Sequence, residues 1–234
     1  MRLQPFFTLL LPPLAWLAGP TLIGSPSAAA ADRKYTVAEL KEAAPQPLAD
    51  DVRKALGTAG FRINDAGGKL VCDVWFRNEL PVLEKTPEAL VMYPIDPGTL
   101  VGAIRFPTAG SDYRNQKIKA GVYSLRYGHQ PQDGNHLGTA EYRDFLILVQ
   151  AAEDKSAAKL TQEQVMDLSK KVSGSTHPSI LSLLPPQKGR DKLPMMVHQD
   201  TLELEVLVAK TVGKSASKSQ DVQIELVAVG HALE

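Results

Sequence analysis

The chain is poor in cysteine. It has one, Cys72, in 234 residues, so it cannot form an internal disulfide. Alternation within residues 69–76 places four side chains on one face of a predicted strand: Leu70, Cys72, Val74 and Phe76. We therefore predict that Cys72 is a buried core thiol. No neighbouring residue in the sequence would lower its pKa toward that of a catalytic nucleophile.

Excess charge of either sign is also missing. The sequence holds 26 basic and 26 acidic residues, which gives a formal net charge of 0. A protein that binds nucleic acid needs a basic surface to neutralise phosphates, and this balance argues against one. The chain has no Asn-x-Ser/Thr sequon either, so nothing predicts N-glycosylation. Nucleic acid is thus not an expected partner.

Long unbroken apolar runs are absent as well. A membrane-spanning helix needs roughly 20 consecutive apolar residues, whereas the apolar N-terminal segment is interrupted at Pro12-Pro13 and at Gly19-Pro20. This segment has the three parts of a secretory signal peptide: a basic start at Arg2, an apolar middle and small residues at 28–31. We predict that residues 1–31 are a cleaved signal peptide.

Cleavage after Ala30 or Ala31 removes one basic residue and leaves a net charge of about −1. Cys72 lies far from the cleavage region, so no thiol is available there for lipidation. These features predict a bacterial protein that is secreted to the periplasm or beyond, with no membrane span in the mature chain. We expect residues 32–234 to form a single β-rich domain.

Alternating apolar residues predict strands along most of the mature chain. The predicted strands are residues 61–63, 69–77, 98–106, 122–127, 144–149, 201–212 and 221–229. The fifth of these lacks strict alternation, which predicts a strand covered on both faces. The pattern predicts a mainly β fold, specifically an antiparallel β-sandwich that is jelly-roll-like and carries two or three short helices.

Helical signals are few. A capping box at residues 36–39 predicts a short helix that stops before Pro45. Residues 48–56 predict a second short helix. A further capping box at residues 161–164 opens a third helix, which Gly174 is placed to end.

The densest polar cluster follows the predicted strand 122–127. Its candidate ligand-binding residues are Tyr127, His129, Asp133, Asn135, His136 and Tyr142. Loops at strand ends often carry binding residues, so we predict a ligand-binding rim here. Two imidazoles and a carboxylate would also suit a divalent metal, with His129, Asp133 and His136 as ligands, although their spacing matches no standard metal motif. The structural alternative is an Asx-type turn that stabilises a long loop.

Two other polar pairs have simpler interpretations. Ser173 and His177 could form a nucleophile–base pair, but no Gly-x-Ser-x-Gly elbow or oxyanion hole accompanies them. Glu203 and Glu205 share one face of a strand, which predicts a solvated face rather than a glycosidase pair. No catalytic residue is therefore assigned.

Three segments carry a resemblance to other proteins: Ile118–Tyr127, Gln130–Gly138 and Arg143–Val149. They resemble a family of exported bacterial β-sandwich proteins of unknown function, over roughly residues 95 to 150. The resemblance implies export and a β-sandwich fold. It implies no activity, cofactor or catalytic residue.

These observations predict an exported, soluble β-sandwich that binds a ligand or an envelope protein without catalysis and without a cofactor. The alternative is a metal-dependent enzyme that uses the loop from His129 to His136. A structural subunit of an envelope assembly is a third hypothesis.

Overall fold

The computed structural model of the protein describes residues 35–88, 90–130 and 142–232. The predicted signal peptide, residues 1–31, lies outside the described residues, so its assignment stays a prediction. Across the described ranges, no helix has both the length and the apolar character that crossing a membrane requires.

Strands dominate the described residues, and helices are few. The elements in chain order are β1 (Tyr35–Leu40), α1 (Asp50–Ala55), β2 (Gly60–Asp65), β3 (Leu70–Phe76), β4 (Glu79–Pro81), β5 (Leu100–Phe106), β6 (Gly110–Ser111), β7 (Lys117–Ile118), β8 (Gly121–His129), β9 (Asp144–Gln150), α2 (Gln162–Ser173), β10 (Ile180–Ser182), β11 (Met195–Gln199), β12 (Leu204–Lys214) and β13 (Ser219–Val229).

Two sheets form the body of the fold. The larger sheet has the strand order β1-β2-β3-β5-β8-β9-β10, and the smaller sheet has the order β11-β12-β13 with β4 added in parallel to β12. The predicted mainly β, antiparallel, sandwich-like fold with two helices is confirmed. Strands of the larger sheet follow one another in chain order, so its connections form a meander and lack the Greek-key order of a jelly roll.

The two sheets meet where the larger one curls. Leu183, just after β10, forms a β-bridge with Leu226 of β13. The amide of Leu184 donates to the carbonyl of Glu225 at 2.9 Å. These bonds give the edge strand β10 partners in the smaller sheet, so this edge is not left open.

The largest core cluster combines inward-facing side chains of both sheets. It includes Ile63, Cys72 and Leu125 from the larger sheet, and Leu207 and Leu226 from the smaller one. Cys72 is completely buried, as predicted, and burial raises the pKa of its thiol. The thiol is therefore a core group and not a nucleophile.

Each helix belongs to a second apolar layer on the outer faces of the strands. Val52 of α1 clusters with Trp75 of β3 and with Leu100 of β5. Val165 of α2 clusters with Ile147 of β9. Strand β9 is thus buried on both faces, which confirms the interpretation of its unbroken apolar run.

Helix α2 begins and ends where its sequence signals predict. The hydroxyl of Thr161 accepts from the amide of Gln164 at 3.2 Å, and the Gln164 side chain accepts from the Thr161 amide at 2.9 Å. This reciprocal pair is the predicted capping box. Gly174 ends the helix in the left-handed conformation, at φ 65°.

The helix predicted after the capping box at residues 36–39 is wrong. These residues belong to β1, which pairs antiparallel with β2 from Tyr35↔Asp65 to Leu40↔Gly60. A helix confined between this box and Pro45 would have about two turns, which is too short to be stable without packing. Pairing with β2 instead supplies a hydrogen-bonding partner along the whole segment. The second predicted helix is confirmed as α1, over the shorter range Asp50–Ala55.

The solvated carboxylate face predicted for Glu203 and Glu205 is also wrong. Glu203 is exposed and precedes β12, but Glu205 is buried at 4% exposure. His198 of β11 lies directly opposite Glu205, and its Nδ1 is 2.9 Å from the carboxylate. The prediction failed because both faces of β12 are covered. Leu207 and Ala209, which share a face with Glu205, belong to the main core, while Val206 and Val208 pack in a second apolar cluster.

A buried ion pair fixes the connection between β9 and α2. The side chains of Arg126 and Asp154 are at most 1% exposed, and Arg126 Nη2 lies 2.7 Å from Asp154 Oδ1. Its Nε donates to Asp154 Oδ2 at 2.8 Å. The remaining donors reach the carbonyls of Gly98, Ala158 and Ser156. All five N–H groups of the guanidinium are therefore bonded, as burial of a charge requires.

Replacement of Arg126 by Met should lower the free energy of unfolding by about 3–5 kcal/mol, because Asp154 would remain buried without its counter-charge. Denaturant unfolding at neutral pH measures this loss. The matched control is Lys210→Gln, which removes an exposed ion pair with Asp221 and should cost less than about 1 kcal/mol. Equal losses in the two variants would contradict the importance of the buried pair.

Candidate functional site

The predicted binding residues divide between described and undescribed parts of the chain. Tyr127 and His129 lie at the end of β8, and Tyr142 lies just before β9. Asp133, Asn135 and His136 lie outside the described residues. Their roles in ligand binding, and the metal site formed with His129, stay predictions.

The carboxylate of Asp144 organises this end of the larger sheet. It is completely buried and accepts the hydroxyl of Tyr127 at 2.6 Å. It also accepts the amide of Met92 at 3.0 Å and that of Tyr93 at 3.2 Å. Hydrogen bonds to a carboxylate are stronger than those between neutral groups, so Asp144 fixes the β4–β5 connection against β8 and β9.

Tyr93 extends this attachment to the smaller sheet. Its hydroxyl donates to the carbonyl of Leu184 at 2.8 Å and accepts from the amide of Glu225 at 3.0 Å. Burial is the main cause that raises the pKa of both Tyr93 and Tyr127. Both phenols therefore stay neutral at physiological pH, and their hydroxyls are occupied by structural bonds. Tyr127 is completely buried, so it stabilises this end of β8 through Asp144 and does not face solvent.

A second carboxylate, Glu88, lies closer to the surface between the guanidinium of Arg143 and the imidazole of His129. Its Oε2 is 2.9 Å from Arg143 Nη2, and its Oε1 is 3.2 Å from His129 Nε2. The hydrogen bond from Arg143 is the main cause that lowers the pKa of Glu88, and His129 adds to it. Glu88 is therefore ionised at neutral pH, which suits a fixed electrostatic contact better than a general acid.

The two ring nitrogens of His129 have different surroundings, because only Nε2 lies beside Glu88. The side chain of His129 is only 10% exposed, and its buried Nδ1 has no hydrogen-bond partner among the described residues. Its ring also lies 6.4 Å from the ring of Tyr127, centroid to centroid. Tyr142 is half-buried and packs against the apolar cluster beneath α2.

Two exposed apolar side chains project beside these charges. Leu90 is 67% exposed and Met92 is 38% exposed; among the described residues, the only other large apolar side chain so exposed is Val212. Leu90 has a positive φ of 64°, a left-handed conformation that is costly for a residue with a branched side chain. We call the surface formed by Glu88, Leu90, Met92, His129 and Arg143 the rim.

Comparison with protein-family models, with curated proteins and with solved structures finds no match to this chain.

The rim contains four residues that sequence reasoning missed. Glu88, Leu90 and Met92 lie about 40 positions before His129, in a segment with no periodic pattern, so no local signal placed them at this site. Arg143 directly precedes the apolar strand β9, and its charge at a strand end was the one signal that could have identified it.

The Ser173–His177 pair serves a structural purpose. The hydroxyl of Ser173 has one proton to donate, and its acceptors are the carbonyl of His177 at 2.6 Å and, as the longer alternative, the carbonyl of Lys170 at 3.2 Å. It therefore bonds main-chain groups at the end of α2 and is not activated by the imidazole. This arrangement agrees with the interpretation of the segment as an extended C-terminal cap.

Replacement of Asp144 by Asn should loosen the rim while the fold persists. The substitution removes the charge that strengthens three hydrogen bonds, at a cost of about 1–3 kcal/mol. Hydrogen exchange should become faster at the amides of Met92 and Tyr93 relative to the amides of β12. Tyr123→Phe, which removes a hydroxyl at the other end of β8, should leave both rates unchanged. Unchanged exchange in the Asp144 variant would refute the anchoring role.

Proposed function

We propose that this protein is exported and binds an envelope protein at the rim without catalysing a reaction. The observation that carries the proposal is the conformation of Leu90, whose side chain is largely exposed from a left-handed backbone. Because its side chain is exposed, Leu90 adds little apolar burial to the stability of the fold, whereas its left-handed conformation costs about 1–2 kcal/mol. Strain of this kind is typical of functional positions.

The surroundings of Leu90 support a protein partner. Binding surfaces commonly have an apolar centre and a polar edge, and here Leu90 and Met92 lie next to Glu88 and Arg143. Asp144 holds the Met92 backbone in place, so little conformational entropy would be lost when a partner binds. The rim thus offers apolar contact area together with fixed charges of both signs.

Export is supported by the N-terminal sequence. Residues 1–31 combine one basic residue, an interrupted apolar segment and terminal alanines. The family resemblance described above also implies export, and with the signal peptide it makes the bacterial periplasm or the extracellular space the proposed location.

Export predicts a definite mass for the protein in its native host. Cells fractionated into cytoplasm and envelope should yield the protein in the envelope or medium, with an N-terminus at Ala31 or Asp32 by mass spectrometry. Full-length protein that begins at Met1 and stays in the cytoplasm would contradict export.

Replacement of Leu90 by Asn should abolish partner binding without lowering the stability of the fold. Asn tolerates the left-handed conformation well, so the free energy of unfolding should stay unchanged or rise by about 0.5–1 kcal/mol. The same variant should lose the partner that the wild-type protein captures from envelope extract, because the apolar contact is gone.

The control for this experiment is Val212→Asn, because Val212 is 45% exposed and lies in β12, outside the rim. It should capture the partner as well as the wild type does. Capture of the same proteins by the Leu90 variant, or no specific capture by the wild type, would contradict the proposal.

A further inference from the structure

A cleft lies at the opposite end of β5 from the rim. Leu100 of β5 pairs with Arg126, near the rim, whereas Phe106 at its other end pairs with Gly121. Around Phe106 the β2–β3 turn, the β5–β6 loop and the end of β13 enclose a cleft of about 290 Å³. This volume lies just below the roughly 300–1,000 Å³ of typical ligand pockets, so only a small molecule would fit the cleft.

The floor of the cleft is apolar. Val71, Phe106 and Ala228 all line it, and all three pack against the main core while remaining partly exposed. Their uncovered surface comes from both sheets, because Val71 and Phe106 belong to the larger sheet and Ala228 to the smaller one. A ligand with a compact apolar group would cover this surface and gain the free energy of its burial.

Two opposite charges of the β2–β3 turn stand beside this floor. Lys69 is exposed, and its ammonium group has no ion-pair partner among the described residues. Asp65 uses Oδ1 to accept the amides of Gly67 and Lys69, while no bond within the described residues involves its Oδ2. The turn therefore presents one cation and one anion without a mutual salt bridge.

The carboxylate of Asp112, the remaining charged group in the cleft, already accepts hydrogen bonds from the protein itself. It is completely buried and accepts the amides of Arg114 and Gln116 at 2.9 and 2.8 Å, and the amide of Ile180 at 3.1 Å. The main-chain carbonyl of Asp112 accepts from Nδ1 of His231 at 3.2 Å. Because a carbonyl oxygen can only accept, this bond requires a proton on Nδ1 of His231.

We propose that this cleft binds a small zwitterion with an apolar body, namely a free amino acid with a branched apolar side chain. Its carboxylate would pair with Lys69, its ammonium group with Asp65, and its side chain would cover the floor. A monocarboxylate would leave the charge of Asp65 unpaired, and a simple amine would leave that of Lys69 unpaired, so each should bind more weakly. The site is distinct from the rim and does not depend on the function proposed for it.

The test is an NMR titration of the purified ¹⁵N-labelled protein with three probes of similar shape: leucine, 4-methylpentanoate and 3-methylbutylamine. Leucine should shift the amide signals of residues 65–71, 106–112 and 227–231, and it should bind about tenfold more tightly than either of the other probes. Equal or tighter binding of either singly charged probe, no shifts with leucine, or shifts confined to other residues would overturn the proposal.

Two variants test the assigned charges. Lys69→Gln and Asp65→Asn should each weaken leucine binding about tenfold, and the latter keeps a side-chain oxygen that can accept the two amides of the turn. The exposed pair Lys188→Gln and Asp191→Asn, on the β10–β11 connection, makes the same charge changes outside the cleft and should alter the affinity less than about twofold. Leucine affinity that is insensitive to both cleft variants would refute the assigned roles.

Discussion

The buried guanidinium of Arg126 constrains the structure through five hydrogen bonds, all of which it donates. Its guanidinium binds Asp154 and three carbonyls, and so fixes the start of β5 and the connection that leads to α2. Side chains alternate along a strand, so the next residue, Tyr127, points to the opposite face and binds Asp144. Two adjacent residues of β8 thus hold the outer layer and the rim. Because β8 takes part in both hydrogen-bond networks, that of Arg126 and that of Tyr127, the rim is held as a fixed surface.

The two ends of the larger sheet have different chemistry. At the rim, charges are paired with one another and apolar side chains project outward, as expected of a surface that meets another protein. In the cleft, the apolar side chains form the floor and the charges of the β2–β3 turn are not paired with each other, as expected of a site for a small polar molecule. Both surfaces depend on elements that the core holds in place, and neither uses the interior thiol of Cys72.

Much of the fold could be predicted from periodicity and capping, because those signals are local. The β2–β3 hairpin, the apolar strand β9, the capped helix α2 and the C-terminal hairpin all follow from patterns within a few residues. Local reasoning failed at residues 36–39, where pairing with β2 outweighs a capping signal. It also failed at Glu205, because its face of β12 is buried in the main core and His198 lies beside it. It predicted a binding rim near His129 but did not include Glu88 and Leu90, because the chain brings them there from another part of the sequence.

The central claim is that the rim is the recognition surface. Hydrogen exchange of the wild-type protein, alone and in complex with the partner captured from envelope extract, tests it directly. The account predicts increased protection at residues 88–92 and at 129–130 in the complex, with little change in α2 or β11. Protection confined to other elements, with residues 88–92 unaffected, would contradict it.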